Sequence, residues 1–226
     1  MSISVQITID ENLFLKDPQE SKLGKKAIKE GISLLDEIGL EAFTFKKLAT
    51  RMGSTEATIY RYFENKHLFL VYLLSWYWEW MRFRIDFNSM NIVDPHEKIK
   101  IVIKTIVDTV RLSTPAEYID RDALHRIVVV EGPKAYHIKQ VDKENKQGYF
   151  KTLKALNKKI ADILLVINPK FPYPKALASN LLEMGNDHFY YAQHLPGLTD
   201  INLKNGSMDE LEQLMEFYVF RLLGKS

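Results

Sequence analysis

Cysteine is absent from the 226 residues, which removes disulfides, thiolate nucleophiles and every Cys-ligated zinc or iron–sulfur site. No apolar run is long enough to cross a bilayer. The richest, residues 69–81, already holds Glu79 and gives way to Arg82 and Arg84, short of the roughly 20 residues a spanning helix needs. The first residues lack the basic segment, apolar core and small-residue cleavage site of a secretory signal, so a cytoplasmic location is expected. Charge of one sign is scarce as well: 31 basic against 29 acidic side chains leave +2, too little to name a partner. Catalytic signatures are missing too, with no His-Glu-x-x-His and no Gly-x-Ser-x-Gly elbow. His125, His137, His188 and His194, with Glu131, Glu183 and Asp187, are therefore read as structural or surface groups. No enzyme, cofactor or metal is expected.

What is present is a globular composition, 46% apolar and 27% charged, unevenly distributed. Residues 1–21 carry one Lys against four acids, whereas residues 22–67 carry nine Lys or Arg against six acids, a small basic unit of net +3. Residues 2–9 alternate apolar and polar like a half-buried strand, but no other segment pairs with that pattern, so residues 1–21 read as an arm. Leu23, Ala27, Gly31, Leu34, Leu35 and Ile38 then recur at helical spacing, and Gly39 is placed to end that helix.

A short helix is predicted from the cap Thr44, with Phe45, Leu48, Ala49 and Met52 on one face and Gly53 as its left-handed stop. Thr55 follows as a second cap. The next helix buries Ile59 and Phe63 and turns Glu56, Ala57, Tyr60 and Arg61 outward; a longer one starts near Asn65. Asp94-Pro95-His96-Glu97 and Thr114-Pro115-Ala116-Glu117 read as two more helix starts. Further helical periods run over 143–167, 175–191 and 208–223, the last behind Ser207 and Glu210. Apart from the arm and the short Ile127–Val130 run nothing asks for strands, so the fold class is all-α.

Two short helices joined by a Gly-containing turn, in a basic unit, are the arrangement that sets a second helix into a DNA major groove. Residues 44–69 read TFKKLATRMGSTEATIYRYFENKHLF, and there the chain closely resembles the DNA-binding domain of TetR-family bacterial transcriptional regulators. The resemblance rests on Thr44, Leu48-Ala49, Gly53, Thr55, Thr58-Ile59-Tyr60, Tyr62-Phe63 and Lys66, and it covers roughly residues 22–80. Three residues depart from the pattern: Ser54 at a usually apolar turn position, Glu56 where Lys is common, and Tyr62 for a frequent His.

The expected division is an arm (1–21), a three-helix helix-turn-helix domain (22–67) and a helical ligand-binding and dimerisation domain (68–226). Thr44 and Thr55 would aim helix amides at phosphates of double-stranded DNA, with Lys46, Lys47, Lys66, Tyr60 and Tyr62 as further donors. Ala57, Thr58 and Arg61, with Glu56, are the candidates for reading bases: Arg to guanine, a carboxylate to cytosine N4. Trp76, Trp80 and Phe83 share a face of the linking helix. That face is a core stripe by its pattern and, by what the resemblance implies, a wall of a site for a small apolar or aromatic effector. Leu181, Gly185 and His188, with Phe217 and Phe220 on the last helix, are the expected homodimer interface. The function expected is a ligand-responsive regulator, with repression the expected sign, bound as a dimer to a near-palindromic operator. The rival is an all-α ligand-binding or scaffold protein whose DNA surface no longer functions, favoured by Glu56 and the weak local charge.

Overall fold

The computed structural model describes residues 7–108, 116–203 and 208–224. Among them regular structure is helical throughout: α1 (Lys22–Ala42), α2 (Phe45–Met52), α3 (Glu56–Tyr60), α4 (Lys66–Ser89), α5 (Pro95–Asp108), α6 (Arg121–Glu131), α7 (Pro133–Tyr136), α8 (Val141–Gln147), α9 (Lys151–Ile167), α10 (Pro174–His194) and α11 (Asp209–Leu222). Packing divides the chain into two units, residues 1–80 with 110–153 and residues 81–109 with 154–226, so α4 contributes to both.

In the first unit α1 buries Ala27, Ile28, Ile32 and Leu35, and Leu23 falls at the exposed margin of that stripe. Gly31 lies under the Phe69 ring, where an added Cβ would come within 2.4 Å of Cζ, so this glycine lets α4 approach α1. Gly39, at φ 70°, interrupts α1 as its sequence position requires. The end of α2 is closed by Gly53 in the left-handed region. Its N–H reaches the Thr50 carbonyl at 3.1 Å, and the Ser54 N–H reaches Ala49 at 2.8 Å. Ser54 thus serves through its backbone. The Asn65 carboxamide caps α4 by accepting from Leu68 N at 2.9 Å.

The second unit packs α5, α10 and α11 together with most of α9. Asp94 caps α5, accepting from His96 N at 2.9 Å. Leu211, Met215 and Val219 form the buried face of α11, while Phe217, Tyr218 and Leu222 stay exposed. Leu181 is buried, and Gly185 lies so close to Ile106 that an added Cβ would meet Cγ2 at 2.4 Å. Those two residues are core contacts of their own unit and are withdrawn from the expected interface. His188 shares a 2.8 Å hydrogen bond with the Thr199 hydroxyl.

Other expectations are corrected. Residues 7–9 form no strand, and the Ile127–Val130 run lies inside α6. Its continuous apolar residues fit a strand by pattern, but Asp120 caps the segment as a helix, accepting from Ala123 N at 3.1 Å. The expected start at Thr114-Pro115 lies outside the described residues, and residues 117–118 form a turn. The single period over 143–167 is two helices, because Gly148 at φ 88° stops α8 before α9 begins. Ser207 and residues 2–6 also lie outside the described residues; Glu210 accepts from Asn202 N at 2.6 Å.

Candidate nucleic-acid interface

The capped helix α2 and the short helix α3 meet across the Gly53 turn. Thr44 caps α2 as expected, its hydroxyl accepting from Lys47 N at 3.2 Å. Thr55 occupies the position before α3 but makes no such bond; its hydroxyl pairs with that of Thr58 at 3.2 Å. Helix α3 buries Ile59 and exposes Glu56, Ala57 and Tyr60, with Thr58 half-buried and Arg61 exposed just past its C-terminal end. Four of the five base-reading and reading-face candidates therefore stand on one accessible face.

A chain of ring contacts holds that face in place. Tyr60 meets Phe45 edge-on at 5.1 Å, Phe45 meets Phe43 at 6.3 Å, and Phe43 stacks on Phe69 at 5.5 Å. Phe63 then packs edge-on against both Phe69, at 5.0 Å, and Tyr72, at 5.2 Å. Each such pair adds about 0.5–1.5 kcal/mol beyond its burial, so the exposed phenol of Tyr60 stands on a rigid aromatic base. The hydrophobic pattern places these rings inside; nothing in their spacing shows that they touch in series.

Two expected phosphate donors are corrected. Tyr62 is 4% exposed and its hydroxyl shares a 2.8 Å bond with Ser21, so it is a core residue turned away from any phosphate. Lys66 is half-buried, and its ammonium donates to the carbonyls of Leu40 at 2.8 Å, Glu41 at 3.1 Å and Phe43 at 3.2 Å. Leu40 and Glu41 lie in the last turn of α1, where carbonyls have no helical partner, Phe43 lies just after it, and Lys66 satisfies all three. Lys26 does the same for α2 through the Met52 carbonyl at 2.8 Å. Arg51 is drawn to Glu37 at 2.5 Å, Ser33 at 2.8 Å and Glu30 at 3.4 Å, which ties α2 to α1. Lys47 is exposed but donates to the Ala42 carbonyl at 2.8 Å. Lys46 and Arg61 are exposed, with no ion pair among the described residues.

Residues 27–71 match the family model described as bacterial regulatory proteins, tetR family. The chain carries a TetR-family DNA-binding domain. No curated protein matches the sequence. Among solved structures, the fatty acid degradation regulator FadR from Bacillus halodurans superposes with a TM-score of 0.60 at 18% identity, over 90% of this chain and 96% of that one. AibR, solved with isovaleryl coenzyme A and operator DNA, gives 0.55 at 14% identity, over 89% and 99%. The superantigen PfiT gives 0.61 at 14% identity, over 93% and 100%. Likeness at these identities establishes the fold alone; the TetR-family domain is what makes the chain a DNA-binding transcriptional regulator.

The aromatic face of α4 lies as its period requires. Trp76 and Trp80 are buried and stack at 6.0 Å, and Phe83, half-buried in the second unit, stacks on Phe87 at 6.2 Å. His125 is buried against Tyr77, with Nδ1 and the phenol oxygen 2.8 Å apart, and burial, aided by the charge of Arg126, pushes its imidazole down to about 4. It is a neutral core histidine at physiological pH. Among the described residues no group of three or more His, Asp or Glu could hold a metal ion, and no helix is long and apolar enough to cross a membrane.

Proposed function

We propose that this regulator binds a near-palindromic operator as a homodimer and releases it when a small apolar or aromatic effector binds, so that its action is repression. The observation that carries the reading is the face presented by α3 and the residue after it: Glu56, Ala57, Tyr60 and Arg61 are exposed beside a capped α2. Arg61 is the candidate for guanine, Ala57 for a thymine methyl and Glu56 for cytosine N4, while Thr44, Lys46 and Tyr60 position the helix on phosphates. Lys47, exposed and with two N–H groups left beside its bond to the Ala42 carbonyl, is a further donor.

A dimer follows from α11, whose Phe217, Tyr218 and Leu222 are 59%, 44% and 53% exposed on one side of the helix. A two-fold pairing of such faces makes an isologous interface, and a dimeric reader of this kind takes two half-sites about 34–36 Å apart or a multiple of that. For the effector, the buried Trp76–Trp80 stack favours an apolar body. The neighbours FadR, a fatty acid degradation regulator, and AibR, solved with isovaleryl coenzyme A, favour an acyl group within that class.

The test is a gel shift with the DNA upstream of the protein's own gene, repeated with acyl thioesters and aromatic acids. Wild type should bind and Arg61→Ala should lose about 1–3 kcal/mol of affinity, concentrated at one base position. Equal, weak binding of wild type, Arg61→Ala and Tyr60→Ala to that DNA and to unrelated DNA would favour the scaffold reading.

A further inference from the structure

Residues 7–20 hold little regular structure, only single 3-10 turns at Glu11–Leu13 and Pro18–Glu20, yet Ile7, Ile9, Leu13 and Gln19 are all buried. Polar contacts pin the segment at both sides. Toward residues 118–151, the Asp10 carboxylate pairs with Lys151 at 2.6 Å and the Asn12 amide donates to the Gln147 carbonyl at 3.2 Å. Gln19 accepts from the Tyr118 hydroxyl at 3.0 Å while its own amide donates to the Ile7 carbonyl at 2.7 Å, which folds the segment onto itself. Toward the helix-turn-helix, Leu15 N donates to the Tyr62 carbonyl at 2.8 Å and Phe14 meets Tyr72 edge-on at 6.1 Å. Ser21, where the segment ends, holds the Tyr62 phenol. Even α1 is shaped to receive it: a Cβ at Gly24 would come within 2.3 Å of the Pro18 carbonyl oxygen.

We propose that residues 7–20 are a strap that carries movement of the 118–151 segment to the reading helix α3. Tyr62 is the point of delivery. It lies two residues beyond the last residue of α3, and both its carbonyl and its hydroxyl are held by the strap or by the residue that ends it. A shift of Gln147, Lys151 or Tyr118 pulls on Asn12, Asp10 and Gln19, and the buried Ile9, Leu13, Pro18 and Gln19 anchor the strap so that it passes the shift along. For the same reason residues 7–20 do not reach for DNA: doing so would expose four buried side chains and break every contact named above. Coupling of this kind requires that both ends bias one element, and here that element is the 62-to-21 clasp.

This inference rests on α3 as the reading helix, so its test is read without DNA. Amide hydrogen exchange on the full chain compares wild type with Asp10→Asn, Asn12→Ala, Tyr118→Phe, which cuts the ties remote from α3 together with the polar contact between Tyr118 and Trp76 of α4. Residues 56–63 should exchange at least tenfold faster, while α6 and the α10 and α11 peptides hold their wild-type rates. Faster exchange confined to 7–20, or an equal rise in α6 and in 56–63, would overturn the strap, since mere loss of stability moves the whole unit together. Should the triple variant not fold, Asp10→Asn with Asn12→Ala is the substitute, with at least threefold faster exchange at 56–63 expected; unchanged exchange there overturns the proposal. The gel shift separates the two readings. Wild-type protein that fails to bind DNA while the exchange pattern holds leaves the strap standing and the DNA reading refuted, and binding with unchanged exchange does the reverse.

Discussion

Lys66→Met removes the ammonium and keeps much of the apolar stem, and the structure and the bare motif foretell different results. Three carbonyls lose a charged donor: Leu40 and Phe43 are shielded, whereas Glu41 is open to water and recovers a partner there. A charge-assisted hydrogen bond contributes about 1.5–3 kcal/mol and an exposed one little, so counting the two shielded acceptors as partly hydrated gives a loss of about 2–4 kcal/mol. Were Lys66 a phosphate ligand, its loss would leave stability alone and lower the salt slope of DNA binding by about 0.9 per protomer. Urea unfolding and a salt titration of operator affinity, made on the same preparation below its unfolding midpoint, distinguish the two. Expected are a lower midpoint and an unchanged slope. Wild-type stability with a slope reduced by about one would refute the carbonyl-cap assignment and return Lys66 to the DNA.

Gly53→Ala should cost about 1–2 kcal/mol by urea unfolding, from the left-handed backbone alone, because φ is 63° and an added Cβ meets nothing within 4 Å; an unchanged midpoint would mean the turn is not left-handed in solution. His125→Gln should flatten the acid side of the stability profile. Above pH 6.5 the imidazole is neutral folded or unfolded, but below it the unfolded chain gains a proton that the folded one, held down to about 4, refuses. Stability is therefore lost as pH falls from 6.5 toward 4, by about 2 kcal/mol at pH 5, and a variant as acid-sensitive as wild type would contradict this. Phe217→Glu with Leu222→Glu should yield a folded monomer in sedimentation, both side chains being more than half exposed; a dimer unchanged at micromolar concentration would place the interface elsewhere. Phe220 is left intact in that test, because its ring stacks on His96 at 6.1 Å and its loss would disturb the fold as well.

The helix-turn-helix was legible because its signals are local. Thr44, Gly53 and Asn65 act within four residues of themselves, and a cap or a left-handed glycine needs no knowledge of the rest of the chain. Tertiary competition misled the reading elsewhere. Tyr62 has the pattern of a surface donor but meets Ser21 from 41 positions away, and Gly185 has the pattern of an interface glycine but faces Ile106. Period alone ran α8 into α9, since Gly148 is a stop signal only once its φ is known to be positive.

The charge count shows most clearly what a sequence conceals. A net +3 over residues 22–67 suggests a modest electrostatic pull toward DNA, but Lys66 gives all three ammonium N–H groups to carbonyls, Lys26 and Lys47 give one each, and Arg51 spends its guanidinium on Glu30 and Glu37. Lys66 and Arg51 thus assemble the domain rather than face a phosphate, while the exposed Lys47 keeps two of its three N–H donors and its charge. Over residues 44–64, Lys46, Lys47 and Arg61 are exposed without an ion pair among the described residues, against Glu56 and Glu64, a net charge close to balance. An interface so arranged draws little from counterion release and must take its affinity from fit, helix-end amides and base contacts. Discrimination between sequences then leans on the aromatic chain from Tyr60 to Tyr72 keeping α3 rigid, because a reading helix with few phosphate anchors is held in register less firmly from outside.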